Sequence, residues 1–210
     1  LKAKSGNDRF ILNNYISTSL YNWSKFTNLN QAEYDLQNLD ARFENLKKIQ
    51  KAFLNCHFDS SRTNNLFSEI VLDQKTDFSR YNYFYASYAA SKGNIDKAKK
   101  IVKSALNLHP RNLLLNQYKK DLNDNKNLLV FDCKNKEHII AEILYIAANA
   151  LSSQSMYLQS NFYLNLAKFL NEDFHSYNTL LAENFSKIKN YQNAKKIYVD
   201  LSKTFSTSPK

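Results

Sequence analysis

Glycine and proline are scarce in this chain of 210 residues, which has only two of each. A β-sandwich or barrel needs Gly, Pro or Asn-Gly at its frequent turns, and an α/β enzyme usually needs glycine where the backbone meets a phosphate. Their scarcity argues against both and favours helices joined by short turns. Because 43% of the residues are hydrophobic and 14% aromatic, the chain can bury a core and is no disordered tail. The length fits a single domain.

Cysteine is equally scarce, and long apolar runs are lacking. Cys56 and Cys133 lie far apart in the chain; the residues leave a disulfide open, but we predict two free buried thiols. No apolar run reaches the roughly 18 residues of a membrane span, so we predict no transmembrane segment. The chain starts at Leu1 without a signal peptide, which indicates a fragment or a processed form. The compartment stays open, with the cytoplasm slightly favoured over the periplasm.

Groups that would converge for catalysis are not found either. Cys56 and His57 are adjacent, and neighbours on a helix diverge by about 100°. Residues 121–132 resemble a calcium loop but lack its glycine at the sixth position and its glutamate at the twelfth. None of the histidines pairs with another at metal-ligand spacing; they are His57, His109, His138 and His175. We predict no enzymatic activity, no cofactor and no metal site.

The charge is strongly of one sign, with a formal net value of +10. Such a charge invites nucleic-acid binding, which is the alternative function. The densest lysines are Lys97, Lys99, Lys100 and Lys103. They fall on the polar side of an amphipathic helix whose apolar side is Ile95, Ala98, Ile101, Val102 and Ala105. We interpret them as a solvated helix face.

A helix-turn-helix pattern is clearest in residues 83–110. A first helix ends at a tight turn, Gly93-Asn94, and a second helix stops at Pro110. Gly93 fits a helix end that needs a left-handed residue, and Asp96 suits the start of the second helix. Pro110 disfavours helical geometry at the residue before it and so closes the pattern.

This pattern resembles the tetratricopeptide repeat, a helix-turn-helix of 34 residues. Three units fit it: 79–112, 141–174 and 175–208. Alanine recurs in the column where the two helices of a pair approach closely, as Ala86, Ala148 and Ala182. Departures are Ser160 in place of the usual alanine, Glu172 and Ser206 in place of the closing proline, and the missing tryptophan. The chain is also similar to long tetratricopeptide proteins of alphaproteobacteria, in which more repeats usually follow.

Outside those units the organisation is less regular. Residues 1–78 are predicted to be N-terminal helices of degenerate repeats, and 113–140 a connecting helix and loop. Within 13–46 the frame sets one group of apolar residues against another: Ile16, Leu20 and Trp23 against Ala32, Leu36 and Leu39. Residues 47–78 look like a decayed helix pair. The resemblance implies an all-α, right-handed α-solenoid of antiparallel helix pairs with about ten to twelve helices.

The resemblance also implies a function, because the first helix of each tetratricopeptide pair lines a concave groove. The candidate groove residues are Arg80, Tyr83, Phe84, Ser87, Tyr145, Asn149, Ser153, Thr179, Glu183 and Lys187. Only Asn149 and Lys187 match the family's carboxylate clamp for chaperone tails, so we predict another ligand. We expect a scaffold that binds an unidentified protein, as a peptide or a helix anchored by Tyr and Phe, and that self-associates through exposed terminal repeats.

Overall fold

The chain is all-helical. The computed structural model describes residues 6–73, 78–124 and 130–205, with side chains for 11–73, 78–124 and 130–203. That part of the chain contains eleven α-helices, a short 3₁₀ helix at Ala41–Phe43 and no strand. No helix within it is both long and apolar enough to cross a membrane. The all-α prediction is confirmed.

The helices form two compact units rather than one domain. The central unit, Phe26–Lys134, contains six helices: α2 (Leu29–Gln37), α3 (Glu44–His57), α4 (Thr63–Leu72), α5 (Tyr81–Ser91), α6 (Ile95–Leu108) and α7 (Leu113–Asn123). Each packs on the next in the chain, and α5 also contacts α7.

The terminal unit combines Leu1–Lys25 with Asn135–Lys210. Its five helices are α1 (Gly6–Lys25), α8 (Lys136–Ser152), α9 (Tyr157–Leu170), α10 (Ser176–Lys187) and α11 (Tyr191–Phe205). From α8 onward each helix packs on the next, and α8 also contacts α10. Ser206, which replaces the closing proline of the last unit, lies outside the described residues.

The first helix, α1, does not pair as the sequence frame suggested. It belongs to the terminal unit and packs on α8, while α2 packs on α3 in the central unit. The hydroxyl of Tyr163 on α9 donates to the Oδ1 of Asn13 on α1 (3.2 Å). The expected α1–α2 pair is therefore wrong: a repeat frame considers only sequence neighbours, and α1 reaches a helix more than a hundred residues away.

Left-handed turns recur with a fixed period. Four residues have positive φ, between 55° and 78°: Asp59, Gly93, Ser155 and Lys189. Each follows the first helix of a pair, and 34 residues separate the first two and the last two. The amide after each accepts no water-facing role but bonds to the carbonyl five residues back: Ser60 to Asn55, Asn94 to Ala89, Met156 to Leu151 and Asn190 to Phe185 (2.8–3.0 Å). This Schellman geometry satisfies the last carbonyls of the helix.

Asparagine caps the helices that follow. The Oδ1 of Asn94 accepts from the amide of Lys97 (3.2 Å), so Asn94, and not Asp96, begins α6. The same contact is made at four other helix starts, by Asn28, Asn112, Asn135 and Asn190. An asparagine oxygen satisfies an amide that has no partner in the first turn.

A column of alanines lets the paired helices approach. Ala52, Ala86, Ala148 and Ala182 are all 0% exposed and have the same 34-residue spacing as the turns. Ser160, which replaces an alanine of the facing column, is also fully buried, and its hydroxyl donates to the carbonyl of Ala148 (2.7 Å). The serine thus keeps the small size that the contact needs and finds a partner for its polar atom.

Enlarging this column should destabilise the fold. Ala86→Leu inserts three carbons where two helices touch, and overpacking of this kind costs about 1–3 kcal/mol. Ala90→Leu on the same helix is the matched control, since Ala90 is partly exposed. Urea unfolding followed by circular dichroism should show a lower midpoint for Ala86→Leu alone. Equal midpoints for the two variants would contradict the close contact.

The cysteines form a disulfide, which corrects the prediction of free thiols. Cys56 in the last turn of α3 is bonded to Cys133, with the two Cα atoms 5.9 Å apart. Both lie in the central unit, and the bond closes a loop across 77 residues. A loop of that length lowers the entropy of the unfolded chain by an amount worth about 4 kcal/mol. Spacing alone could not reveal the pair, because the intervening helices bring the residues together.

Candidate peptide-binding surfaces

The ten candidate groove residues divide between the two units. Arg80, Tyr83, Phe84 and Ser87 lie on or beside α5 in the central unit. The other six lie on α8 and α10 in the terminal unit. Their exposure differs so much that the two sets are described separately.

The central set is largely closed to a ligand. Tyr83, Phe84 and Ser87 are only 1%, 2% and 5% exposed, so the expectation that Tyr83 and Phe84 anchor a partner fails in this conformation. The ring of Tyr118 on α7 packs edge-on against Tyr83, with centroids 4.9 Å apart. Burial raises the pKa of Tyr83 well above its usual range and that of Tyr118 to about 12. Neither phenol therefore ionises near neutral pH.

A returning segment of the chain, residues 130–134, covers the rest of this set; we call it the strap. Phe131 of the strap is 4% exposed, and its ring centroid lies 4.6 Å from that of Phe84 and 5.3 Å from that of Phe53. Cys133 of the strap is the residue bonded to Cys56. A cavity of about 30 Å³ lies beneath the strap, bordered by Ser87. The strap therefore occupies the place where a peptide was expected.

The end of α3 holds the strap with polar contacts as well. The Nδ1 of His57 donates to the carbonyl oxygen of Cys133 (3.0 Å), and the Nζ of Lys134 donates to the carbonyl oxygen of His57 (2.9 Å). Asp59 forms ion pairs with Lys134 and Lys92. Hydrogen bonds from both lysines hold the pKa of Asp59 below its ordinary value. Cys56 and His57 thus share a structural partner, and the thiol is consumed by the disulfide.

The terminal set forms an accessible surface, which we call the α8–α10 face. Its residues recur four apart on each helix, the spacing of one helical stripe: Tyr145, Asn149 and Ser153 on α8, and Thr179, Glu183 and Lys187 on α10. Four of them are exposed, while Tyr145 and Thr179 are partly buried. The rings of Tyr145 and Tyr177 lie 5.6 Å apart and join the two helices. Here the structure brings the predicted residues together.

A buried polar network fixes α8, α9 and α10 beneath this face. Asn184 of α10 is 0% exposed, and its Nδ2 donates to the Oγ of Ser160 and the Oδ1 of Asn161 on α9 (both 2.8 Å). Its Oδ1 accepts from the Oγ of Ser152 on α8 (2.6 Å). One amide therefore joins three helices, and buried networks of this kind favour a single packing arrangement.

Removing that amide should loosen the terminal unit. Asn184→Ala leaves three buried polar groups without a partner, which costs about 2–3 kcal/mol. Asn193→Ala on α11 is the matched control, since Asn193 is exposed. We expect hydrogen exchange to accelerate at the amides of α8–α10 in the first variant only. If both variants exchange at the same rate, the network does not join these helices.

One exposed surface escaped the sequence analysis. Helix α9 displays four large apolar side chains at intervals of four, four and three residues, which places them on one side of the helix: Leu158, Phe162, Leu166 and Phe169. We call them the α9 stripe. Their spacing could have revealed them, but the repeat frame drew attention to the buried positions of α9, Leu164 and Ala167.

Metal ligands do not cluster in the part of the chain that the structure describes: it holds no group of three or more His, Cys, Asp or Glu placed for a metal. In the segment resembling a calcium loop, residues 121–123 belong to helix α7. Residues 125–129 of that segment lie outside the described part. No protein family, no curated protein and no solved structure matches this chain.

Proposed function

We propose that this protein is a non-enzymatic scaffold for protein–protein interaction, a right-handed α-solenoid of tetratricopeptide type that binds a peptide or helix on the α8–α10 face. The observation that carries the proposal is the face itself. It offers exposed polar groups four residues apart on two adjoining helices, and the Asn184 network holds those helices in place.

The solenoid part of the proposal is supported by the period of the structure. Left-handed turns and buried alanines both recur at 34 residues, the length of a tetratricopeptide unit. Contacts between α5 and α7, and between α8 and α10, are those expected when the first helices of successive pairs stack. The Asp59 turn extends the same period to residues 47–78.

The chemistry of the face suits a main chain laid across it. Asn149 offers a donor and an acceptor that can pair with a peptide group, and Ser153 adds a hydroxyl whose proton is engaged by the carbonyl of Ala150 (2.8 Å). Glu183 and Lys187 present opposite charges, which would fix the direction of a charged ligand. Tyr145, partly exposed, supplies an aromatic contact.

A display library of short random peptides, selected on the full chain, tests this function. Enriched peptides should bind the double variant Asn149→Ala/Glu183→Ala at least about tenfold more weakly in fluorescence anisotropy, because two polar contacts are lost. The matched control is Asn107→Ala/Asp96→Ala, two exposed residues of α6 in the central unit. Failure to enrich any peptide, or equal binding by both double variants, would overturn the proposal.

Nucleic-acid binding is the alternative outcome of the same experiment. Lys99, Lys100 and Lys103 are exposed on α6, as expected for a solvated face, and Lys97 lies 5.1 Å above the ring of Tyr85. Single-stranded RNA and duplex DNA serve as probes at low and high salt. Tight binding that weakens steeply with salt and ignores Asn149 and Glu183 would replace the peptide function.

We further propose that two copies of the chain associate through the α9 stripe. Because each copy has a net charge of +10, a contact between copies needs an uncharged surface, and α9 has a single charged residue, Lys168. If two stripes pack antiparallel, Leu158 lies opposite Phe169 and Phe162 opposite Leu166. Every Phe then meets a Leu, so the surface is self-complementary, as a two-fold interface requires.

Sedimentation velocity over a range of concentrations tests this association. Phe162→Glu should keep the chain monomeric at concentrations where the unmodified protein dimerises, since it would bury two like charges across the axis. Leu108→Glu on α6 is the matched control, because Leu108 is 78% exposed but lies off the stripe. A monomer at all concentrations, or equal loss of dimer in both variants, would contradict it.

A further inference from the structure

The strap is the one place where the chain itself fills a predicted peptide site. It contributes a single deeply buried side chain, Phe131, while Asp132 and Cys133 are partly exposed and Lys134 is exposed. One inserted aromatic followed by a solvent-facing segment is the arrangement by which a peptide ligand docks in a groove. Its pocket lies between α3 and α5, with Phe53 on one side and Phe84 on the other.

We propose that the strap is an internal ligand of the α3–α5 groove, and that reduction of the Cys56–Cys133 disulfide opens this groove to a partner segment carrying an aromatic side chain. The site is separate from the α8–α10 face and does not depend on it. The ligand class follows from the pocket: an aromatic ring for the space between Phe53 and Phe84, then a backbone carbonyl to accept from His57.

Reduction is a thiol–disulfide exchange with a dithiol. A thiolate of the dithiol attacks one sulfur, the Cys56–Cys133 bond breaks, and a mixed disulfide forms. The second thiol of the reductant resolves it, so the reductant leaves as a disulfide and the protein gains two electrons and two protons as two thiols. Cys133 is partly exposed, which gives the reductant a sulfur to reach.

Without the disulfide the strap is held by fewer and weaker contacts. The ion pairs of Asp59 with Lys92 and Lys134 join exposed groups, so solvent screens them. The cavity of about 30 Å³ beneath the strap has room for about one water, which means that Phe131 does not fill the groove completely. A tethered segment still competes at an effective concentration in the millimolar range, and a tight external ligand can displace it.

A labelled peptide copied from residues 130–136, with Cys133→Ser, is the probe. In fluorescence anisotropy it should not bind the oxidised chain. It should bind both the chain reduced with excess dithiothreitol and the full-length variant Cys56→Ser/Cys133→Ser. The same peptide with Phe131→Ala should bind at least about tenfold more weakly, because the ring supplies the anchor.

Hydrogen exchange on the reduced chain keeps the test sharp if reduction disturbs folding. Amides of the strap should lose protection while those of α3 and α5 keep it. The variant Asn149→Ala/Glu183→Ala should bind this probe as the unmodified chain does, which separates the two sites. Equal binding of the probe before and after reduction would overturn the proposal, and so would strap amides that stay as protected as in the oxidised chain.

Discussion

The close approach of paired helices at the alanine column is the contact on which the rest of the structure depends. With no side chain beyond Cβ at Ala52, Ala86, Ala148 and Ala182, the helices of a pair come near enough to bury their larger neighbours. The left-handed turns make the same demand from the other direction, since they reverse the chain within a few residues. The period of the fold is set where these two requirements coincide.

That coincidence explains which parts of the fold could be predicted. Small residues at a fixed spacing are visible in a sequence, and so is a glycine at a turn, which is why the units containing Gly93, Ala148 and Ala182 were found. The turn at Asp59 was hidden because an aspartate in left-handed geometry gives no signal comparable with glycine. The asparagine caps were hidden for a similar reason, since asparagine is common along the whole chain.

Contacts between distant residues could not be predicted. The packing of α1 on α8 and the disulfide both join segments that the repeat frame treats as unrelated. The candidate site shows the same division. A frame position indicates which way a side chain points, so the α8–α10 face was assembled correctly from Tyr145 to Lys187. It does not indicate what covers that side chain, so the closure of Phe84 by Phe131 was missed.

The disulfide also bears on where the protein works. Structural disulfides persist in oxidising compartments and are rare in a cytosol kept reducing by thiols, so Cys56–Cys133 favours an exported protein over the cytoplasmic one that the composition slightly favoured. In an oxidising compartment the strap stays closed by default, because the bond keeps Phe131 in its pocket. The groove beneath it then becomes available only where a dithiol acts on the protein. The α8–α10 face contains no cysteine and is unaffected by that chemistry, so the two surfaces would answer to different conditions.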